Sequence, residues 1–477
     1  MDKKIAIVSC EMFPLIKVGG LADVVGALYK KLNQYYQVSA FMPAFPQIKK
    51  SLKIEKISDF NIPFSTGKKE TASFLKSIDA KYPNIYLIDN EHYFNRQHPY
   101  GENGIDYPDN LERFSFFCKG VLEACKINSL QFDIFHCHDW QTALLPLYLN
   151  EFYKDFNSKS IFTIHNLAYQ GVFSKEKFPL LGLDWKYFNM KELEFYGNIN
   201  LMKAGIIHSA ITNTVSPTYA KEILTPEYGC GLEGLLSEKK EFVYGIINGI
   251  DYQIWNPMFD PFITKKYKTR KIKIENKKTL QKKLNLLVDE KIPLFGFVGR
   301  LVQQKGTDLI VEAIKNIIDK EKFQLVVLGT GEANYETQLK EIARKYPGNI
   351  SITLQFNETF AHQIYAGSDF FLMPSRFEPC GLGQLISMKY GTIPIVRKTG
   401  GLTDTVKDFS QEDKNGWGIV FEEDNASELQ KAIQRAIDLY TQQQDMELLF
   451  TNAKKQDFSW NQSIKQYWQL YQKALTL

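Results

Sequence analysis

The run Leu294-Phe295-Gly296-Phe297-Val298-Gly299-Arg300-Leu301-Val302-Gln303-Gln304-Lys305-Gly306 ends a buried strand and opens a helix. Leu294, Phe295, Phe297 and Val298 are continuously apolar, which predicts a strand covered on both faces that stops at Gly299. Arg300 and Lys305 then fall in the loop. Gly306 opens an amphipathic helix whose buried face is Leu309, Ile310, Ala313, Ile314 and Ile317. Two cations at such a turn, where the helix also aims its unpaired N–H groups, form a site for a phosphate chain. Loop cations are also commonly no more than solvated, so the segment has to be weighed with the rest of the chain.

The same strand-turn-helix pattern recurs on both sides. Ile5–Ser9, Val38–Met42, Ile85–Ile88, Ile134–Cys137, Ile161–Ile164 and Ala210–Asn213 read as strands of a first series, with helices such as Leu21–Leu32, Glu112–Cys125 and Gln141–Phe152 between them. A second series has strands Leu294–Val298, Gln324–Leu328, Ile350–Leu354, Phe370–Met373 and Ile393–Val396, with helices Thr307–Ile318, Ala333–Lys345, Thr359–Ala366 and Gly383–Lys389. Apolar strands alternating with helices predict an α/β chain of two doubly wound, Rossmann-like domains. The expected boundary lies near Tyr244–Pro257, giving domains 1–247 and 248–457. A terminal helix, within 458–477, carries an aromatic stripe (Tyr467, Trp468, Tyr471) and is expected to pack back on the first domain.

Length and composition agree with this and exclude other classes. A chain of 477 residues accommodates two large α/β domains, and a 44% hydrophobic, 23% charged composition is that of a globular protein. A net charge of +4 is too small to make nucleic acid or an acidic membrane the main partner. The basic run from Lys265 to Lys283 reads as a solvated helix or connector. Six scattered cysteines (Cys10, Cys118, Cys125, Cys137, Cys230, Cys380), without metal-ligand spacing, read as reduced thiols of a cytoplasmic protein. The apolar run near the amino terminus is too short for a signal peptide, and no stretch approaches the ~20 residues that cross a bilayer.

Further motifs follow other strands, where ligands of open α/β sheets sit. Lys17-Val18-Gly19-Gly20 offers a mobile cation and a close backbone approach at a helix start, although Gly-Gly there can also be a plain tight turn. It is neither a dinucleotide nor an ATP-hydrolysis loop. His136-Cys137-His138-Asp139-Trp140 suits sugar hydroxyls, with Trp140 stacking on a ring and Asp139 accepting hydrogen bonds; the two histidines are expected to splay apart in a loop and hold no metal. His165, directly after a buried strand, fits a core histidine and a functional one equally. Glu378 precedes Pro379 and is biased to an extended backbone, followed by Gly381 and Leu382 at a helix start. That segment fits either a carboxylate beside an anion-binding nest or a proline turn that caps the helix.

Taken in order, Lys17–Val24 (KVGGLADV), His138–Thr142 (HDWQT), Thr163–Asn166 (TIHN), Asn248–Asp251 (NGID), Gly299–Gly306 (GRLVQQKG), Ser375–Leu382 (SRFEPCGL) and Gly400–Val406 (GGLTDTV) resemble the bacterial glycogen synthases and plant starch synthases over essentially the whole chain. The resemblance implies a GT-B fold, two Rossmann-like domains facing a central cleft, and transfer of glucose from ADP-glucose to the non-reducing end of an α-1,4-glucan with retention. It implies that Arg300 and Lys305 neutralise the diphosphate, that Lys17, Gly19 and Gly20 approach the donor, that His165 contacts the glucose, and that Glu378 binds its hydroxyls beside Cys380, Gly381 and Leu382. Asp23, Asp139 and Asn248 are candidates on the sugar and acceptor side, and Phe356 beside the adenine. No cofactor or metal is expected. Two positions depart from the family pattern: Gly383, where threonine is common, and Phe356, where tyrosine is common. A binding homologue without catalysis would be expected to lack one of Arg300, Lys305, His165 or Glu378, and all four are present.

Overall fold

The computed structural model describes residues 3–63, 69–102 and 104–477. The chain divides into two compact units. One comprises Met1–Val215, Ala220–Ile246 and Ser463–Leu477, the other Ser216–Tyr219 and Ile247–Gln462.

The first unit is built on a nine-stranded sheet among the described residues. Across it the strands run Val243–Gly245, Ile211–Thr214, Lys159–Ile164, Ile134–His138, Lys4–Val8, Gln37–Pro43, Ile85–Asp89, Lys69–Ser77 and Ile54–Pro63. The first seven are parallel, and the last two add an antiparallel edge. Lys4–Val8 pairs with Gln37–Pro43 on one side and with Ile134–His138 on the other, so the winding reverses there. That reversal opens a crevice at the carboxyl ends of both strands.

The second unit has a six-stranded parallel sheet in the order Ile350–Thr353, Gln324–Leu328, Leu294–Val298, Phe370–Met373, Ile393–Arg397 and Ile419–Phe421. Its reversal lies between Leu294–Val298 and Phe370–Met373, the strands that precede Arg300 and Glu378. Every residue of Leu294–Phe297 is buried. Helix Thr307–Ile317 covers this sheet with Leu309, Ile310, Ala313, Ile314 and Ile317, each leucine or isoleucine contributing roughly 1.5–3 kcal/mol on burial.

The basic run forms a helix with Lys271, Lys282 and Lys283 exposed, as expected, but it is not solvated throughout. In helix Arg270–Lys283, Lys273 and Lys277 are buried one turn apart. Lys273 donates to the carbonyls of Tyr365 and Ala366 and to Thr392, and Lys277 pairs with Asp369 at 2.6 Å. A charged side chain enters a core only with such partners, and these come from strands and helices far along the chain.

The terminal helix Trp460–Thr476 buries Tyr467 and Tyr471, and the Tyr471 hydroxyl meets His136 Nδ1 at 2.8 Å within the first unit. No helix among the described residues is long and apolar enough to cross a membrane.

Candidate active site

In the second unit the two segments flanking the sheet reversal are joined into one structure. Arg376 N donates to the Gln304 carbonyl at 2.9 Å, and the Arg376 guanidinium reaches the Gln303 carbonyl and is bidentate to Asp308. Gly306 takes φ +67°, and a Cβ there would lie 2.1 Å from the Pro374 carbonyl oxygen. Only glycine lets the cation loop approach the Pro374–Leu382 loop this closely.

The two predicted side chains of opposite sign meet across that seam. Lys305 Nζ lies 2.6 Å from Glu378 Oε2, which also accepts the Ser375 hydroxyl at 2.9 Å. Glu378 is buried, while Lys305 is half-buried. Arg300 is exposed and reaches Gln304 at 3.3 Å. Cys380 is buried, its thiol pushed up to about 12 by burial against the pull of the Asn248 backbone N–H. It is therefore a neutral wall rather than a nucleophile. Asn248 is brought beside it, with its side-chain oxygen buried and unpaired. Gly381 adopts φ +78° ahead of helix Gly383–Lys389, with Leu382 as the residue preceding that helix. Phe356 stands apart, its ring 82% exposed after strand Ile350–Thr353.

The Gly383 departure has a physical counterpart. A Cβ on Gly383 would lie 2.9 Å from the Phe371 ring and 3.1 Å from Met373 Sδ. The space of a threonine side chain is already filled from the strand below.

In the first unit, Lys17 pairs with Asp23 at 2.8 Å. The loop amides expected to approach a ligand are held by Glu11, whose Oε2 accepts the N–H groups of Val18 at 2.6 Å and Gly19 at 2.9 Å. Glu11 Oε1 accepts the Tyr100 hydroxyl at 2.6 Å. The helix Gly20–Leu32 follows directly, so this buried carboxylate marks where a negative charge is favoured. Sequence reasoning missed Glu11. The signal was an acidic residue just past a buried strand and ahead of a Gly-Gly loop.

Two expectations for the His136–Trp140 segment are corrected. The strand runs on through His138, so the two histidines share a face with ring centroids 4.2 Å apart rather than splaying. Trp140 is buried edge-on against Phe114 at 5.1 Å and covered by Gly171, so it is not an open platform for a sugar.

Asp139 has φ 57° and ψ 179°, a strained conformation costing roughly 1–3 kcal/mol. The strain aims its carboxylate at the backbone N–H of His165 at 2.7 Å and at that of Asn166. Burial, with Glu11 adding, pushes the Asp139 carboxyl up to about 7 despite those donors. His165 is held twice, by Asp139 at its backbone and by His138 at its ring, where His138 Nδ1 lies 3.0 Å from His165 Nε2. Burial depresses all three histidines, His136 and His165 to about 3.

Known proteins match this chain over its length. A family model described as "Starch synthase catalytic domain" matches residues 4–238, and one described as "Glycosyl transferases group 1" matches residues 277–456. A "Glycogen synthase" of Fervidobacterium nodosum is 46% identical over 99% of this chain and 99% of the relative, and one of Thermodesulfovibrio yellowstonii is 44% identical over 98% and 97%. The catalytic domain of Starch Synthase IV from Arabidopsis thaliana, bound to ADP and acarbose, superposes with a TM-score of 0.90 at 33% identity, covering 100% of both chains. Sucrose-phosphate synthase from Thermosynechococcus elongatus, 17% identical with a TM-score of 0.63 and 99% coverage of both, shares the fold alone. With two Rossmann-like sheets and these neighbours, the fold class is GT-B. Identity above 40% along nearly the whole of both sequences leaves one assignment: the chain belongs to the glycogen and starch synthase family, glycosyltransferases that extend an α-glucan from a sugar nucleotide.

Proposed function

We propose that this chain transfers glucose from ADP-glucose to the non-reducing end of an α-1,4-glucan such as glycogen, with retention of configuration and release of ADP. In this reading, residues 248–457 form the sugar-nucleotide side. Residues 1–247 with the terminal helix form the acceptor side. The observation that carries it is the Lys305–Glu378 pair on two interlocked loops at a sheet reversal, with Arg300 on the same loop as Lys305 and reaching Gln304.

Cleavage of the donor builds negative charge on the departing diphosphate. Arg300 and Lys305 are fixed cations for that charge, stronger there than for the intact donor. Glu378, released from Lys305 or shared with it, accepts glucose hydroxyls beside Cys380, Gly381 and Leu382. Phe356 offers an open ring face to the adenine. In the other unit, His165 contacts the glucose, Lys17, Gly19 and Gly20 serve the donor, and Asp23 belongs to the sugar and acceptor side. Asp139 acts by orienting His165, and Asn248 acts from the wall formed with Cys380.

A double displacement through a carboxylate nucleophile needs a carboxylate free to attack the anomeric carbon. Glu378 is paired with a lysine and a serine, and Asp139 is spent on backbone N–H groups. Attack by the acceptor on the face from which ADP leaves fits this arrangement better.

The six free thiols support a reducing, cytoplasmic setting. The test is incorporation of labelled glucose into glycogen, comparing ADP-glucose with UDP-glucose. The reading expects ADP-glucose to be the better donor, and exclusive use of UDP-glucose would refute the donor assignment.

A further inference from the structure

We propose that His138 is a positioning residue for His165, fixing the His165 ring as a neutral imidazole that carries its proton on Nδ1. This rests on the reading of His165 as the residue that faces the transferred glucose.

The tautomers are set from the far end of a buried chain of rings. His136 Nε2 lies 2.6 Å from Thr163 Oγ1, and the Thr163 hydroxyl donates its proton to Asn213 Oδ1 at 2.5 Å. Having given that proton away, Thr163 can only accept from His136, so His136 is protonated on Nε2. Its bare Nδ1 then accepts from the Tyr471 hydroxyl at 2.8 Å. His136 is thereby a fixed, neutral ring, and His138 lies against it at 4.2 Å between centroids.

Between His138 Nδ1 and His165 Nε2, 3.0 Å apart, one nitrogen must donate and the other accept. The choice is made on the opposite side of the His138 ring. His138 Nε2 is buried without a hydrogen-bond partner among the described residues. A proton there would strand a buried N–H donor, whereas a bare lone pair is the less costly orphan. His138 therefore carries its proton on Nδ1 and donates it to His165 Nε2. The remaining proton of His165 sits on Nδ1. The depressed basicity of all three rings keeps each neutral near pH 7. His165 thus presents a hydrogen-bond donor, suited to holding a hydroxyl oxygen and unsuited to removing a proton from one.

The experiment is 15N NMR of histidine-labelled full-length protein, where seven histidines give a sparse ring spectrum and a His165→Gln sample assigns the resonance. Wild type is expected to show a neutral Nδ1-protonated His165 from pH 6 to 8. His138→Asn, whose side-chain amide donates near the position of Nδ1, should keep that signature and near-normal kcat. His138→Phe should shift His165 toward the other tautomer and lower kcat by about 3- to 10-fold with little change in KM. An Nε2-protonated His165 in wild type, its resonance assigned from the His165→Gln sample, would overturn the positioning role. Unchanged His165 nitrogen shifts in His138→Phe would do the same. An unchanged kcat in His165→Ala would overturn the reading of His165 itself, on which the proposal rests.

Discussion

Lys305 Nζ and Glu378 Oε2 are 2.6 Å apart, so the cation assigned to the diphosphate and the carboxylate assigned to the sugar neutralise one another before any donor binds. In the proposed site the donor has to enter between partners already satisfied, and each must prefer it to the other. The free energy of the existing pair is therefore subtracted from the affinity of any ligand that engages only one of them.

Replacing the carboxylate separates the two roles. In Glu378→Gln, Lys305 loses its internal counter-ion and becomes fully available to phosphate. ADP alone should bind about tenfold tighter or more, as a charge-assisted hydrogen bond is worth roughly 1.5–3 kcal/mol, while glucosyl transfer falls sharply. Calorimetric titration with ADP alongside turnover measures both. Weaker ADP binding would mean that Glu378 supports the phosphate site instead of competing for it.

Lys277 and Asp369 are a buried pair, and removing one partner leaves the other charge uncompensated. Lys277→Ala is expected to destabilise by about 3–5 kcal/mol. Asp369 also accepts the Leu294 N–H at 2.9 Å, so the damage should reach the strand that carries the cation loop. Urea unfolding checks this, and a loss under about 1 kcal/mol would contradict it.

Gly383→Thr restores the residue common in the family but must displace the Phe371 ring and Met373. Overpacking of this kind costs about 1–3 kcal/mol. A lower urea midpoint is expected. An unchanged midpoint would show that the strand below yields freely.

The buried titrating groups of the first unit oppose one another. His136 and His165 fall from 6.5 to about 3, and His138 is depressed as well, so between those pH values the unfolded chain binds protons that the native one refuses. Their contribution to stability is full above 6.5 and is lost as pH falls toward 3. Asp139, raised from 3.8 to about 7, has the opposite sign: its contribution is full below 3.8 and is lost as pH rises through 7. Near pH 5 the histidines outnumber it, and these groups should lower stability on acidification. Asp139→Asn removes the opposing group and should steepen that slope by about 1.4 kcal/mol per pH unit. Urea titrations at pH 5 and 6 measure it, and a shallower slope in the variant would contradict the assignment.

The parallel strands were legible because burial on both faces leaves a continuous apolar run, as in Leu294–Val298 and Gln324–Leu328. The antiparallel edge Ile54–Pro63 with Lys69–Ser77 was not. It is half-exposed and charged, and its register shifts between Lys56 and Ser58, which blurs the alternation. His138 falls outside the strand read from sequence because a histidine looks like a loop residue until Tyr471 and Thr163 supply partners for the neighbouring His136. Those partners lie up to 335 positions away in the chain. Trp140 looks like an open platform in the sequence for a related reason: its cover, Phe114 and Gly171, is assembled only in three dimensions. Among the site residues, those in turns after strands were named from local pattern. Their pairings, Lys305 with Glu378 and the loop amides with Glu11, join segments that no local spacing connects.

In the proposed mechanism Arg300 and Lys305 stabilise the departing diphosphate. The most direct measurement is the steady-state rate of glucosyl transfer from ADP-glucose to glycogen by Arg300→Ala and Lys305→Ala, with folding verified by circular dichroism. A fall in kcat of about 10²–10³ in each is predicted. Folded variants that turn over at the wild-type rate would contradict the account.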